Sequence, residues 1–209
     1  MSARIIRTDA DVAEGAAHLA KIEPRFAKVL PDVSPLPLRR KPEGFGEVLS
    51  AIMGQQVSTA SAQAICQRLA AAGLDQADAV KKAREDDLRA CGLSRQKIRY
   101  AFALAEADID YDGLRDLPDE EVLETLTAVT GIGIWTAEIY LKFSLGRSDA
   151  FAAGDLALQI AAQDLFELDA RPTPAQLRTL AEPWSPWRSV AARILWAYYR
   201  VRKQRDGIR

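Results

Sequence analysis

The chain has 209 residues, of which 48% are hydrophobic and 27% charged, with a formal net charge of −1 and a sequence pI near 6.0. That length suits one sizeable core or two small lobes sharing it, and the composition argues against a disordered chain, a membrane span or a uniformly basic nucleic-acid binder. The N-terminus, MSARIIRTDADV, has no apolar run behind its charges, so no secretory signal is expected and a cytoplasmic location is.

Thr8 followed by DADVAEGAAHLAKI predicts a capped amphipathic helix, with Val12, Ala16, Leu19 and Ile22 on one face. His18, the only histidine, lies in it without other chemistry nearby. Pro24, Pro31, Pro35 and Pro37 are then expected to break the chain, and LPLRRKPEGF to run extended. Phe45 to Met53 and Thr59 to Ala72 predict two packed helices around a polar junction, Gly54-Gln55-Gln56-Val57. Gln76 to Ala90 predicts one or two short helices, and a further helix starts behind Ser94 with Arg95, Lys97 and Arg99 in its first turns. Those cations oppose the helix dipole, which either a nucleic-acid contact or plain solvent exposure would explain. Cys66 and Cys91 sit in helical stretches without a CxxC partner, and two cysteines cannot supply a four-cysteine iron–sulfur cluster.

DEEVLETLTAV carries its acids at the N-terminal end, as a helix prefers, and leads into Thr130-Gly131-Ile132-Gly133 and a second helical run from Trp135 to Leu141. Two glycines flanking one apolar residue permit a sharp turn, after which the amides around Gly131, Gly133 and Trp135 face outward at a helix N-terminus suited to a phosphate. Two packed helices joined by a glycine turn, with Ile132 as a plug, are the plainer reading. Further on, Phe151-Ala-Ala-Gly154-Asp155 precedes LALQIAAQ, where Asp155 is placed either to cap a helix or to do chemistry. TPAQLRTLAEPW predicts a helix capped by Thr173 with Pro174 at its first position, and Trp187 to Lys203 the last one. No period-two strand of useful length is present, so the expected class is all-α.

Charge is uneven along the chain. Arg188, Arg193, Arg200, Arg202, Lys203, Arg205 and Arg209 face only Asp206 near the C-terminus, whereas Glu106 to Glu124 is strongly acidic. Such runs are ordinarily solvated faces, and this polarity is also compatible with a DNA-facing side and an acidic back.

The pattern T-G-I-G-x-W-T-A, with FAAGD about twenty residues later, resembles the helix-hairpin-helix DNA glycosylase superfamily, and most closely its 3-methyladenine DNA glycosylase II members. The resemblance implies two helical lobes, approximately 43–145 and 1–42 plus 146–209, in one glycosylase domain with the DNA site in the cleft between them. It implies hydrolysis of the N-glycosidic bond of alkylated purines in double-stranded DNA, with Asp155 as the catalytic carboxylate. Trp135 and Trp196 would stack the extruded base, Gln56 would fill the gap it leaves, and Gly131, Gly133 and Thr136 would hold phosphate. A monovalent cation on the backbone carbonyls of Thr127, Val129 and Ile132 is a family expectation, and no other cofactor is.

Members that also cut the strand carry a lysine where Trp135 stands, so no lyase activity is expected. Ile139, Leu156 and Ala197 occupy positions of family tyrosines, which leaves the substrate range open. A monomer acting on damaged DNA is the expectation. A glycosylase for a deaminated or mismatched base, or a non-catalytic DNA-binding hairpin module, are the alternatives.

Overall fold

The structure, a computed structural model, describes residues 4–205. Twelve α-helices follow in order: α1 (Asp9–Ile22), α2 (Pro24–Val33), α3 (Phe45–Met53), α4 (Thr59–Ala71), α5 (Ala77–Lys82), α6 (Glu85–Ala90), α7 (Arg95–Glu106), α8 (Asp119–Thr127), α9 (Ile134–Phe143), α10 (Leu156–Leu165), α11 (Pro174–Ala181) and α12 (Arg188–Arg205). Among the described residues no strand forms, and the one extended pairing is an isolated bridge between Ile5 and Arg147. The all-α expectation therefore holds.

The sequence signals for helix starts act where expected. Thr8 Oγ1 accepts from Asp11 N at 3.3 Å while Asp11 Oδ2 accepts from Thr8 N at 2.8 Å, a reciprocal cap at the head of α1. Thr173 and Gln176 repeat that arrangement on α11, where Pro174 takes the first position, at which a missing N–H costs nothing. The four-proline stretch needs correction. Pro24 begins a helix instead of ending one, and α2 continues through Pro31 because Phe26, Val29 and Val33 share a buried face. Burial of that face, about 1.5–3 kcal/mol per large side chain, outweighs the one hydrogen bond that Pro31 cannot donate.

The chain divides into two compact units, Lys41–Tyr140 and the remainder. In the first, α7 packs against α3, α5 and α6, and Val48, Leu49, Ile52, Met53, Ile98 and Leu104 are buried. Lys97 is buried too, its Nζ donating to Met53 O at 2.6 Å, so it braces α3 and is no part of a basic surface. In the second unit α12 packs against α1, α2 and α10. An aromatic knot occupies its core: Trp184 stands 5.0 Å from Phe26, 5.5 Å from Phe166 and 5.9 Å from Phe151 between ring centroids. Two of the C-terminal cations are also structural. Arg188 forks onto Asp149 at 2.7 and 2.8 Å, and buried Arg193 spends its donors on the carbonyls of Pro37, Leu38 and Ser189. Asp206 and Arg209 lie outside the described residues.

Candidate functional site

In the unit Lys41–Tyr140, α8 stops at Thr127 and α9 begins at Ile134, with Ile132 buried between them. Gly131 adopts φ +97°, and the Tyr100 ring occupies the place where a Cβ would stand. Only a glycine fits there. Gly133 differs from the expectation of two turn glycines: its φ is not left-handed, and a Cβ would meet nothing within 4 Å. Its lack of a side chain therefore leaves backbone open to approach from outside.

The ladder of α9 begins with Ala137 N donating to Gly133 O at 3.1 Å, so the amides before it are ones that a helix cannot satisfy internally. Any phosphate contact by Thr136 would have to use its amide. Its side chain is buried, with Oγ1 3.5 Å from Gln55 Nε2. Trp135 is 38% exposed beside it. Gln55 also donates to Gly131 O at 3.0 Å and so fastens the α3–α4 loop to the hairpin. Next to it, Gln56 is exposed at φ +57° and Val57 is exposed as well. Of the carbonyls named for a monovalent cation, those of Thr127 and Val129 lie at the C-terminal end of α8, the negative end of its dipole, and that of Ile132 in the turn before α9. Val129 O receives the amide of Ile132 at 3.0 Å, and Thr127 O receives no backbone amide among the described residues. Neutral oxygens at a helix C-terminus suit a hard monovalent cation.

In the other unit, the loop before α10 is sealed by Phe151, Ala152 and Ala153, all buried, and by Gln159 Nε2 donating to Ala153 O at 2.9 Å. Asp155 ends it. Its Oδ1 accepts from Ala157 N at 2.9 Å, Leu158 N at 3.1 Å and Trp196 Nε1 at 3.1 Å. Asp155 is therefore a helix cap, as the plainer reading has it, and it is also clamped to the tryptophan of α12 at a half-buried position. The structure thus brings Asp155 and Trp196 together.

Lys142 joins them, and the sequence pattern gave no sign of it. It lies in the last turn of α9 at 0% exposure, with Nζ 3.9 Å from the Trp196 ring centroid and 5.3 Å from that of Phe143. Its amino group has no hydrogen-bond partner among the described residues. Phe143 stacks on Trp196 at 5.7 Å. If the amine and the Phe143 ring sandwiched the indole, they would be farther apart than either is from it; at 5.3 Å they share one side of the ring. Burial pushes the Lys142 amine well below the ordinary lysine range, with Arg193 and Arg39 acting in the same direction and Asp155 against it. Arg193, also desolvated and faced by Arg39 and Arg40, is pulled down to about 10.

Residues 49–186 match the family model for the HhH-GPD superfamily base excision DNA repair protein. The alkylbase DNA glycosidase-like protein mag2 of Schizosaccharomyces pombe is 28% identical over 90% of this chain and 94% of its own. DNA-3-methyladenine glycosylase 1 of the same organism is 33% identical over 82% of this chain and 79% of its own. Among solved structures, Schizosaccharomyces pombe 3-methyladenine DNA glycosylase (Mag1) in complex with abasic DNA superposes with a TM-score of 0.77 at 30% identity, covering 88% of this chain and 95% of that one.

Proposed function

The chain belongs to the HhH-GPD superfamily of base excision DNA repair proteins, and from that premise we propose that it is a monofunctional DNA glycosylase releasing alkylated purines of the 3-methyladenine type. The observation that carries this reading is the clamp of Asp155 by two α10 amides and the Trp196 indole. It couples the one acid of the loop to an aromatic surface.

Extruding a base from the duplex costs a few kcal/mol, and stacking on an indole recovers about 1–3 kcal/mol of it. Trp196 and exposed Trp135 are the surfaces we assign to that task. A positively charged alkylpurine already has a weakened glycosidic bond. Asp155 then needs only to stabilise the oxocarbenium-like sugar and orient the attacking water. Its three donors hold the carboxylate in one orientation, which is worth more to a positive transition state than a mobile acid would be.

The amides of Gly131, Gly133 and Thr136 would take a backbone phosphate. The carbonyls of Thr127, Val129 and Ile132 would hold a monovalent cation, which supplies a positive charge beside that phosphate when bound. Exposed Gln56 is the side chain we assign to the gap left by the base. Trp135 has no amine with which to form a Schiff base, in keeping with hydrolysis and no strand cleavage.

The test is release of free base from methylated duplex DNA by the wild type and by Asp155→Asn, with binding to abasic-site DNA measured beside it. Release falling by about 10²-fold or more while binding persists is the expected result. Undiminished release by Asp155→Asn would refute the assignment.

A further inference from the structure

We propose that Lys142 is a specificity-determining residue: its amino group, sealed on the same side of Trp196 as Phe143, sets how well the indole stacks a positively charged base on its other face. The inference rests on Trp196 as a base-stacking surface and adds a device behind it. Three observations support it. The amine is fully buried and has no hydrogen-bond partner among the described residues. It is aimed at the ring, 3.9 Å from its centroid. The same ring donates its N–H to Asp155 at 3.1 Å.

An indole face attracts cations through its quadrupole, and the attraction is strongest where water is excluded. An ammonium behind the ring would compete for that electron density and repel a second cation in front of it. A neutral amine would do neither. The groups facing Nζ decide which form is present. Arg193 on α12 and Arg39 on the segment after α2 oppose the charge, as does burial, whereas Asp155 at the head of α10 favours it. With two guanidinium groups and desolvation against one carboxylate, the balance favours the neutral amine far more than at an exposed lysine. Acidification protonates it. By linkage, protonation weakens the stacking of a cationic base as much as a stacked cation opposes protonation. A neutral purine is spared this effect, so acid shifts the preference away from cationic lesions.

The experiment is single-turnover base release between about pH 5.5 and pH 8.5 from two duplexes, one with an N-alkylated, cationic purine and one with neutral hypoxanthine. It is run on the wild type and on Lys142→Met, which keeps the length of the side chain without a titrating group. Titration of the substrates themselves is common to both proteins and cancels. The cationic-to-neutral ratio is expected to fall with acid by about tenfold more in the wild type than in the variant, the scale of a desolvated cation–π contact. Ratios with the same pH dependence in both proteins would overturn the role of Lys142 while leaving the glycosylase reading intact. Release of no base by either protein would overturn both.

Should Lys142→Met fail to fold, the wild type alone decides, through a ¹³C NMR titration of Cε-labelled lysine. Lys142 titrating within the pH range where the ratio changes supports the inference. Titration near the ordinary lysine value, about 10.4, overturns it.

Discussion

Trp196 Nε1 donates to Asp155 Oδ1 at 3.1 Å, on the same oxygen that caps α10. One carboxylate oxygen thus serves both a helix terminus and an aromatic surface. Trp196→Phe keeps an aromatic ring but removes that donor. Base release is expected to fall by about tenfold, corresponding to one charge-assisted hydrogen bond of roughly 1.5 kcal/mol. Melting should change little, because the two α10 amides still hold Asp155; a drop confined to stability, with release intact, would contradict this.

Capping and chemistry at Asp155 are separable by choice of substituent. Asparagine caps a helix about as well as aspartate, whereas alanine loses about 1 kcal/mol of cap. Asp155→Asn is therefore expected to melt close to the wild type, and Asp155→Ala to melt a few degrees lower, with base release lost from both. Calorimetry beside the release assay makes the comparison.

The hairpin glycines should respond differently to the same substitution. Gly131→Ala places a methyl on the Tyr100 ring at a left-handed φ of +97°, and a loss of at least about 1–2 kcal/mol of stability is expected from the backbone alone. Gly133→Ala meets nothing. It should leave the melting temperature unchanged but weaken binding to abasic DNA by about tenfold, if the Cβ stands where a phosphate approaches. Unchanged binding by Gly133→Ala would remove that amide from the DNA contact.

Asp149 gives a pH signature unrelated to catalysis. Burial alone would raise its carboxyl, but the fork from Arg188 and the hydroxyl of Ser185 outweigh burial and hold it below the usual carboxylate range. A carboxyl depressed on folding contributes stability above its unfolded value, about 3.9, and the contribution is lost as pH falls through the lower folded value. Asp149→Asn should cost about 1–2 kcal/mol at pH 7, since both partners are partly wet. Thermal melts should converge with those of the wild type as pH falls below the unfolded value and through the lower folded one.

Packing of α1 on α12 is tight at Gly15, where a Cβ would lie 2.6 Å from the Trp187 ring and 2.7 Å from Val190. Gly15→Ala is therefore expected to destabilise by about 1–3 kcal/mol even though alanine is the better helix former. A variant as stable as the wild type in denaturant would show that α12 can retreat.

Local physics was legible in the sequence and tertiary physics was not. Thr8, Ser94 and Thr173 announce their helices because a cap acts within three residues of itself. The hairpin and the aspartate loop were legible for the same reason, each being a short run with its own turn chemistry. The helix α2 was hidden because Pro24 and Pro31 signal breaks locally, while the apolar face that overrides them is paid for by residues elsewhere in the chain. Lys97 and Arg193 passed for surface cations. Their partners are carbonyls far away in sequence, on Met53, Pro37 and Leu38. Lys142 was silent for the same reason, since nothing in YLKFSLG says that the lysine points inward at a tryptophan more than fifty residues on.

Gln55 reaches across 76 positions of sequence to Gly131 O, whereas its neighbour Gln56 is exposed in the left-handed region. The loop thus divides labour between adjacent residues, one anchored and one at liberty. A position with no packing to satisfy is one that mutation can revise without unfolding the protein. Residue 56 is in that sense an exchangeable tip on a fixed handle. If residue 56 fills the gap left by an extruded base, as proposed, a lineage bearing this fold can retune that insertion by changing it, while the anchor and the hairpin stay as they are.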